Sequence, residues 1–175
     1  CSSANELWRQ DELVYKNNWR PTSDFLSYLS NLYKSSHFTP KGKNFIEKRT
    51  GMVNFSIIGR EAHHELRDIY CEWDKKNMER EKMAQTIMKD FPELDACIGG
   101  QISIDIYPKG NDKSQASKWV AKNLKKEMAF FGDKCHKGGN DYPIIYDIIL
   151  ESRGTYHNVT SYNMTLDLLE NKYLS

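Results

Sequence analysis

Three patterns of apolar and polar positions in the first part of the chain predict an α+β module. Residues 45–58 contain two short β-rich runs around a Thr-Gly step, an arrangement that predicts a β-hairpin. Residues 61–91 carry apolar side chains at helical spacing and predict one or two amphipathic helices that end before Pro92. In residues 101–108 apolar and polar side chains alternate, which predicts a strand with two different faces.

The pattern changes after about residue 110, where a piece of a parallel α/β layer is predicted. The expected elements are a helix at 114–126, a short and fully buried strand at 128–133, a strand at 154–161 and a helix at 163–174. Ser161 and Asn163 are both plausible caps for the last helix. The chain is therefore expected to divide near residue 110.

Composition excludes several classes of partner. The 175 residues include 25 Lys and Arg and 24 Asp and Glu, and a formal net charge of +1 favours neither nucleic acid nor a membrane surface. No apolar run reaches the roughly 18 residues that cross a bilayer, and the first residues lack the apolar core of a signal peptide. The four cysteines show no CxxC spacing, which favours reduced thiols and a cytoplasmic location.

The end of the predicted strand at 128–133 carries acidic residues suited to a metal. The strand ends in Gly132 and Asp133, and a Gly-Gly loop leads to Asp141 eight residues later. Ligands of open α/β sheets bind beyond the carboxyl ends of strands, and Mg²⁺ prefers a few carboxylate oxygens together with water and phosphate. Lys113 precedes a predicted helix from which its cation could reach the same edge. The alternative is a solvated acidic turn with an ordinary surface lysine.

A group of arginines near the predicted hairpin is suited to binding phosphate. Arg49 lies in the hairpin, and Arg60 and Arg67 flank the predicted strand-to-helix junction that follows it. The planar guanidinium group binds phosphate through two parallel hydrogen bonds. Ser103 and Asp105 share one face of the strand at 101–108 and are candidates for binding sugar hydroxyls. Surface charge and a solvated strand face are the alternatives for these two groups.

Three segments taken together resemble consecutive signatures of the eukaryotic-type phosphomannomutases, within the haloacid dehalogenase superfamily. They are FIEKRTGMVNFSIIGR, IGGQISIDIYPKGNDK and FFGDKCHKGGND, and they match in order and spacing over most of residues 44–147. The resemblance implies an α/β fold: the C-terminal half of a haloacid dehalogenase-like Rossmannoid core, plus an α+β cap domain with an antiparallel sheet. It implies a core remnant at residues 1–7, a substrate-binding cap at 8–110 and the core half at 111–175.

The resemblance also implies roles for particular residues. It assigns phosphosugar binding in the cap to Arg49, Arg60, Arg67, Ser103 and Asp105. In the core it implies Lys113 as the motif lysine, Asp133 as a Mg²⁺ ligand and Asp141 as an acidic neighbour. Asp147 resembles an acid in a second cation loop, although Ile145 and Leu150 stand where that pattern is usually aromatic and hydroxyl-bearing.

The family's DxDxT strand, which carries the nucleophilic aspartate and the acid/base aspartate, has no counterpart in these residues. On the order of 70 residues, about two βαβ units, are therefore expected upstream. The leading hypothesis is a phosphosugar mutase that interconverts hexose (mannose) 6-phosphate and 1-phosphate through an aspartyl-phosphate, with a sugar bisphosphate activator and a homodimer formed by the cap. The alternatives are a sugar-phosphate phosphatase and a catalytically silent binding or assembly module.

Overall fold

The computed structural model describes residues 4–174, and it divides the chain into two compact units with the division between Asn111 and Asp112. Each unit has its own hydrophobic core. Residues 1–3, part of the expected core remnant, lie outside the described residues, and Glu6 and Leu7 belong to a strand of the first unit. The assignment of the units as cap and core stays a prediction. Within residues 4–174, no helix combines the length and apolar character that crossing a bilayer requires.

The first unit is an α+β arrangement built on an antiparallel sheet, as the sequence predicted. Its elements are β1 (Glu6–Arg9), β2 (Glu12–Lys16), α1 (Ser23–Ser35), β3 (Ile46–Arg49), β4 (Met52–Phe55), α2 (His64–Asn77), α3 (Glu79–Asp90), β5 (Leu94–Gly99) and β6 (Ser103–Pro108). The sheet has the strand order β3-β4-β6-β5, and β1 and β2 form a separate hairpin. The predicted hairpin, the helical stretch before Pro92, which forms two helices, and the alternating strand are confirmed, whereas α1, β5 and the β1-β2 hairpin were not predicted.

Alternation along the strands gives the four-stranded sheet one apolar face and one polar face. The apolar face supplies the core together with α1, α2 and α3, through side chains that include Phe25, Leu29, Val53, Phe55, Tyr70, Ile87, Ile104 and Ile106. On the other face, directly paired residues form one row of Glu47, Asn54 and Asp105 across β3, β4 and β6. Because paired residues point to the same side of a sheet, the strand register itself gathers these polar side chains.

The second unit places helices beside a short parallel sheet. Its elements are α4 (Ser114–Asn123), β7 (Met128–Gly132), α5 (Tyr142–Leu150), β8 (Gly154–Asn158) and α6 (Tyr162–Lys172). Strands β7 and β8 are parallel and in register from Met128↔Gly154 to Gly132↔Asn158. The core of this unit is formed by Ile144, Ile145 and Ile148 of α5. Ser161, one of the two predicted caps, accepts a hydrogen bond from the Met164 N–H and caps α6.

Two predictions for the second unit are wrong. Strand β7 is parallel but only partly buried, since Ala129 is exposed and Phe130 and Phe131 are half-buried. Within the described residues β7 pairs with β8 alone, and a parallel strand becomes fully buried only where neighbours and helices cover it on both sides. The expected loop around Asp147 is instead helix α5, because residues 144–150 are mostly apolar and bury one side against the unit's core.

Candidate functional site

Arg49 and Arg60 of the first unit share one carboxylate. The end of β3 places Glu47 and Arg49 two residues apart, hence on the same side of the sheet. Glu47 Oε2 accepts a hydrogen bond from Arg49 Nη2 at 2.8 Å and lies 3.1 Å from Arg60 Nε. The Arg49 hydrogen bond lowers the pKa of Glu47 below its ordinary value, and the charge of Arg60 acts in the same direction. The three side chains therefore form a local cluster of one anion and two cations.

Arg67 lies in the first two turns of α2 and contacts the loop that carries Arg60. Its Nε donates to the Ala62 carbonyl at 2.8 Å, and its Nη2 donates to the Arg60 carbonyl. His63 caps α2 by accepting a hydrogen bond from the Leu66 N–H. Arg60 and Arg67 thus flank a strand-to-helix junction, as predicted. Arg67 also holds the backbone of the loop in place through its hydrogen bonds to the Arg60 and Ala62 carbonyls.

Ser103 and Asp105 lie together on the polar face of β6 and are held by Asn54 of β4. Asn54 Nδ2 donates to Ser103 Oγ at 2.9 Å and to Asp105 Oδ1 at 2.6 Å. All three residues are buried, so this strand face is not the solvated surface that was the alternative in the sequence. Gly99 leaves room for the carboxylate, because a Cβ at that position would lie 2.6 Å from Asp105 Cγ.

Sequence reasoning missed Glu47 and Asn54. The signal for Asn54 is a single polar residue inside the otherwise apolar, fully buried strand MVNF. The signal for Glu47 is an acid two positions before an arginine on the same strand. Neighbouring strands lie about 4.8 Å apart, so Glu47 and Asp105, which are separated by one strand, have backbones about 10 Å apart. This face therefore presents paired cations at one end and the side-chain oxygens of Ser103 and Asp105 at the other.

In the second unit, the candidate residues at the end of β7 come together around Asp141. Its side chain is 3% exposed, and Oδ1 forms an ion pair with Lys113 Nζ. Oδ2 accepts hydrogen bonds from the backbone N–H groups of Asp133 at 3.1 Å and Lys134 at 3.0 Å. The sequence predicted that Lys113, Asp133 and Asp141 would reach one strand edge, and the structure brings them there.

The residues after β7 include a carboxylate and an amide oxygen, and both are donor types that Mg²⁺ takes. Asp133 is exposed directly after β7, beside an open pocket of about 300 Å³ that is lined by residues 131–133, 159–162 and 165. Within the described residues, the buried Oδ1 of Asn140 has no hydrogen-bond partner. No three His, Cys, Asp or Glu side chains of residues 4–174 gather into a metal cluster. One carboxylate and one amide oxygen suit Mg²⁺, which keeps several water ligands.

Asp147 is committed to contacts inside the second unit. Its carboxylate accepts a hydrogen bond from Ser117 Oγ of α4 and lies 3.3 Å from Arg153 Nε. Arg153 Nη1 also donates to the Ser117 carbonyl at 3.5 Å. These contacts tie α5 to α4 and to the turn before β8.

Comparison with known proteins identifies the family. The sequence model described as eukaryotic phosphomannomutase matches residues 20–174. The chain is 41% identical over 140 residues to a phosphomannomutase of Saccharomyces cerevisiae, covering 78% of this chain and 54% of that protein. It is 36% identical over 154 residues to a phosphomannomutase of Triticum aestivum, covering 87% and 59%. The chain thus spans little more than half the length of these curated relatives.

A solved structure supports the fold independently. The chain resembles the IMP-bound mutant IMP-nucleotidase of Plasmodium falciparum with a TM-score of 0.51 at 14% identity, covering 87% of this chain and 39% of that one. Such a likeness bears on the fold alone, and it confirms the expected haloacid dehalogenase-like α/β class. Because the family's sequence model also covers most of the chain, the protein belongs to the eukaryotic phosphomannomutase family.

Proposed function

We propose that this chain serves a phosphosugar mutase that interconverts mannose 6-phosphate and mannose 1-phosphate. The observation that carries the proposal is the polar sheet face of the first unit, where two arginines held by one carboxylate share a surface with Ser103 and Asp105. Paired guanidinium groups suit a phosphate dianion, and a buried carboxylate beside a hydroxyl suits a sugar ring. The phosphomannomutases to which the chain is similar support the same reaction.

In this proposal the first unit is the cap and holds the part of the substrate that does not react. Arg49 and Arg60 bind the phosphate that is not being transferred, with Arg67 supporting the loop of Arg60. Ser103 and Asp105 bind ring hydroxyls. A mutase must accept the sugar in two orientations. Binding the phosphate at the end of the sugar away from the reacting group therefore serves both half-reactions.

The second unit is the core half in the same proposal. Asp133 and Asn140 supply oxygen ligands for Mg²⁺, which when bound neutralises charge on phosphoryl oxygens. Lys113 contributes a cation at the strand edge, and Asp141 holds both Lys113 and the backbone N–H of Asp133 in place. Asp147, a candidate metal ligand from the resemblance, keeps its Ser117 and Arg153 contacts and orients α5.

The proposed chemistry transfers a phosphoryl group twice. An aspartyl-phosphate gives its phosphoryl group to a hydroxyl of the bound hexose phosphate, forming a bisphosphate, and the phosphoryl group at the other position then returns to the aspartate. A sugar bisphosphate activator phosphorylates the aspartate initially. Residues 1–175 contain no DxDxT motif, and in this proposal the residues of the two units bind and orient the substrate.

Three further parts of the proposal concern the context of the enzyme. The resemblance supports a homodimer formed by the cap, and hexose phosphates as the substrates. A cytoplasmic location is supported by the described cysteines, since Cys71, Cys97 and Cys135 form no disulfide.

Replacement of Arg60 by alanine in the full-length natural protein tests the proposed contact between Arg60 and the phosphate that is not transferred. Loss of a charge-assisted bidentate contact costs about 1.5 to 3 kcal/mol, so kcat/KM for mannose 1-phosphate is expected to fall at least about tenfold. Hydrolysis of a minimal aryl phosphate, which offers nothing to the cap, is expected to change little. Arg20→Ala, at an exposed arginine outside the cluster, is the control. An equal loss with both substrates, or no loss with either, would contradict the proposed role.

A further inference from the structure

Glu47 occupies an unusual position, since its carboxylate faces the two arginines that the proposed function uses for phosphate. An acid in that place either competes with the incoming anion or holds the cations for it. The contacts of Glu47 distinguish the two roles. Glu47 Oε2 engages one nitrogen of each partner, Nη2 of Arg49 and Nε of Arg60.

The N–H groups of Arg60 that Glu47 does not contact favour the second role, in which Glu47 holds the arginines in place for the phosphate. A guanidinium group has five N–H donors, and a phosphate is bound best by two neighbouring ones. Within residues 4–174, the terminal Nη1 and Nη2 atoms of Arg60 make no hydrogen bond or ion pair. Because Glu47 contacts Arg60 at the side, through Nε, the terminal fork stays available to an anion.

The charge balance points the same way. Two guanidinium groups beside each other repel, and each long side chain loses rotamer freedom when an anion fixes it. One carboxylate bound to both reduces the repulsion and fixes the side chains before the substrate arrives, while a net charge of +1 is retained locally. Phosphate then binds to cations that are already arranged.

We propose that Glu47 is a positioning residue that holds Arg49 and Arg60 at the spacing needed to bind one phosphate dianion. The proposal rests on the proposed function for its natural ligand, a phosphosugar. It assigns to Glu47 no contact with the substrate, and it adds a residue that the family resemblance did not supply.

Substitution of Glu47 is expected to leave the fold intact, because its side chain is 43% exposed. Exposed ion pairs contribute little to folding stability, so Glu47→Gln is expected to keep the unfolding temperature within about 2 °C of wild type. Glu72→Gln is the matched control, since Glu72 forms an exposed ion pair with Lys75 on α2, outside the arginine cluster.

The test compares wild type, Glu47→Gln and Glu72→Gln in the full-length natural protein. Glu47→Gln is expected to raise KM for mannose 1-phosphate about five- to tenfold with kcat changed less than about twofold, because affinity and not chemistry is lost. Titration with inorganic phosphate, followed by NMR of the arginine Nε–H resonances, should show a similar loss of affinity and a shifted Arg60 signal. Glu72→Gln should match wild type in both experiments.

Unchanged phosphate affinity in Glu47→Gln would overturn the proposal, and so would tighter binding, which would make Glu47 a competitor of the anion. The phosphate titration also separates this proposal from the proposed function. If wild type fails to convert mannose 1-phosphate, the mutase assignment fails, while the effect of Glu47 on phosphate binding is still measured.

Discussion

At the residue scale, Asp141 organises the candidate site at the end of β7, because both oxygens of its carboxylate have partners. The side chain is buried, one oxygen faces the Lys113 cation and the other accepts two backbone N–H groups. Gly132 makes this packing possible, since a Cβ there would lie 2.6 Å from Asp141 Oδ2. The position of Asp133, which follows Gly132 directly, therefore depends on Asp141.

Asp141→Asn is expected to destabilise this edge of the second unit by about 2 kcal/mol, because it removes the charge of a buried carboxylate that pairs with the half-buried Lys113. Amide hydrogen exchange at Asp133 and Lys134, whose N–H groups bind the carboxylate, should become faster. Asp167→Asn, at an exposed acid of α6, is the control and should leave both rates unchanged. Wild-type exchange rates in the Asp141 variant would contradict the account.

The location of a single side chain was predictable where its position relative to a strand end decides which edge of the sheet it reaches. Asp133 and Asp141 follow from the rule that ligands bind at the carboxyl ends of parallel strands. Lys113 follows from its place before a helix from which it could reach the same edge, and the structure brings the three residues together.

Asn54 was not predictable, because its contacts with Ser103 and Asp105 depend on the register between strands far apart in sequence. A register shift of one residue would turn the Asn54 side chain to the opposite face. The ion pair of Glu47 with Arg60 was not predictable either, because it depends on the path of the loop that follows β4.

At the element scale, the clearest predictions came from segments with one strong pattern. The alternating strand β6 and the helices α2 and α3, which end before Pro92, are confirmed because only one structure satisfies each pattern. Helix α5 was missed, since its apolar residues lie on more than one side and its length is only nine residues. Pro143 in its first turn is compatible with a helix, because the first N–H groups of a helix need no partner.

Helix α6 provides an element-scale test, since none of its residues is buried and its start depends on the cap. Ser161→Ala is expected to destabilise α6 by about 1 kcal/mol, because the Met164 N–H loses its acceptor. Asn163→Ala, two residues further on, should leave the helix unchanged or slightly more stable, since alanine has the higher helix propensity. Amide exchange along residues 162–172 measures both, and a larger effect at Asn163 would contradict the assigned cap.

At the scale of the whole molecule, the assignment depends on features in both units and not on any one motif. The first unit contributes paired cations and buried oxygens on one sheet face, and the second contributes a lysine and acidic side chains at a strand end. Each feature has an ordinary structural explanation when taken alone. Their order along one chain predicted the family, and the match over residues 20–174 confirms it. The reaction itself was not predictable from fold, since related folds carry different activities.

The most direct test of the central claim is the fate of the phosphoryl group in the full-length natural protein. Mannose 1-phosphate is supplied with a sugar bisphosphate activator and Mg²⁺, and mannose 6-phosphate and free phosphate are measured separately over time. For a mutase, mannose 6-phosphate is expected to accumulate with little free phosphate, and conversion is expected to stop when Mg²⁺ is chelated. Stoichiometric release of phosphate without isomerisation would indicate a phosphatase, and no conversion at all would indicate a silent module; either result would contradict the mutase assignment.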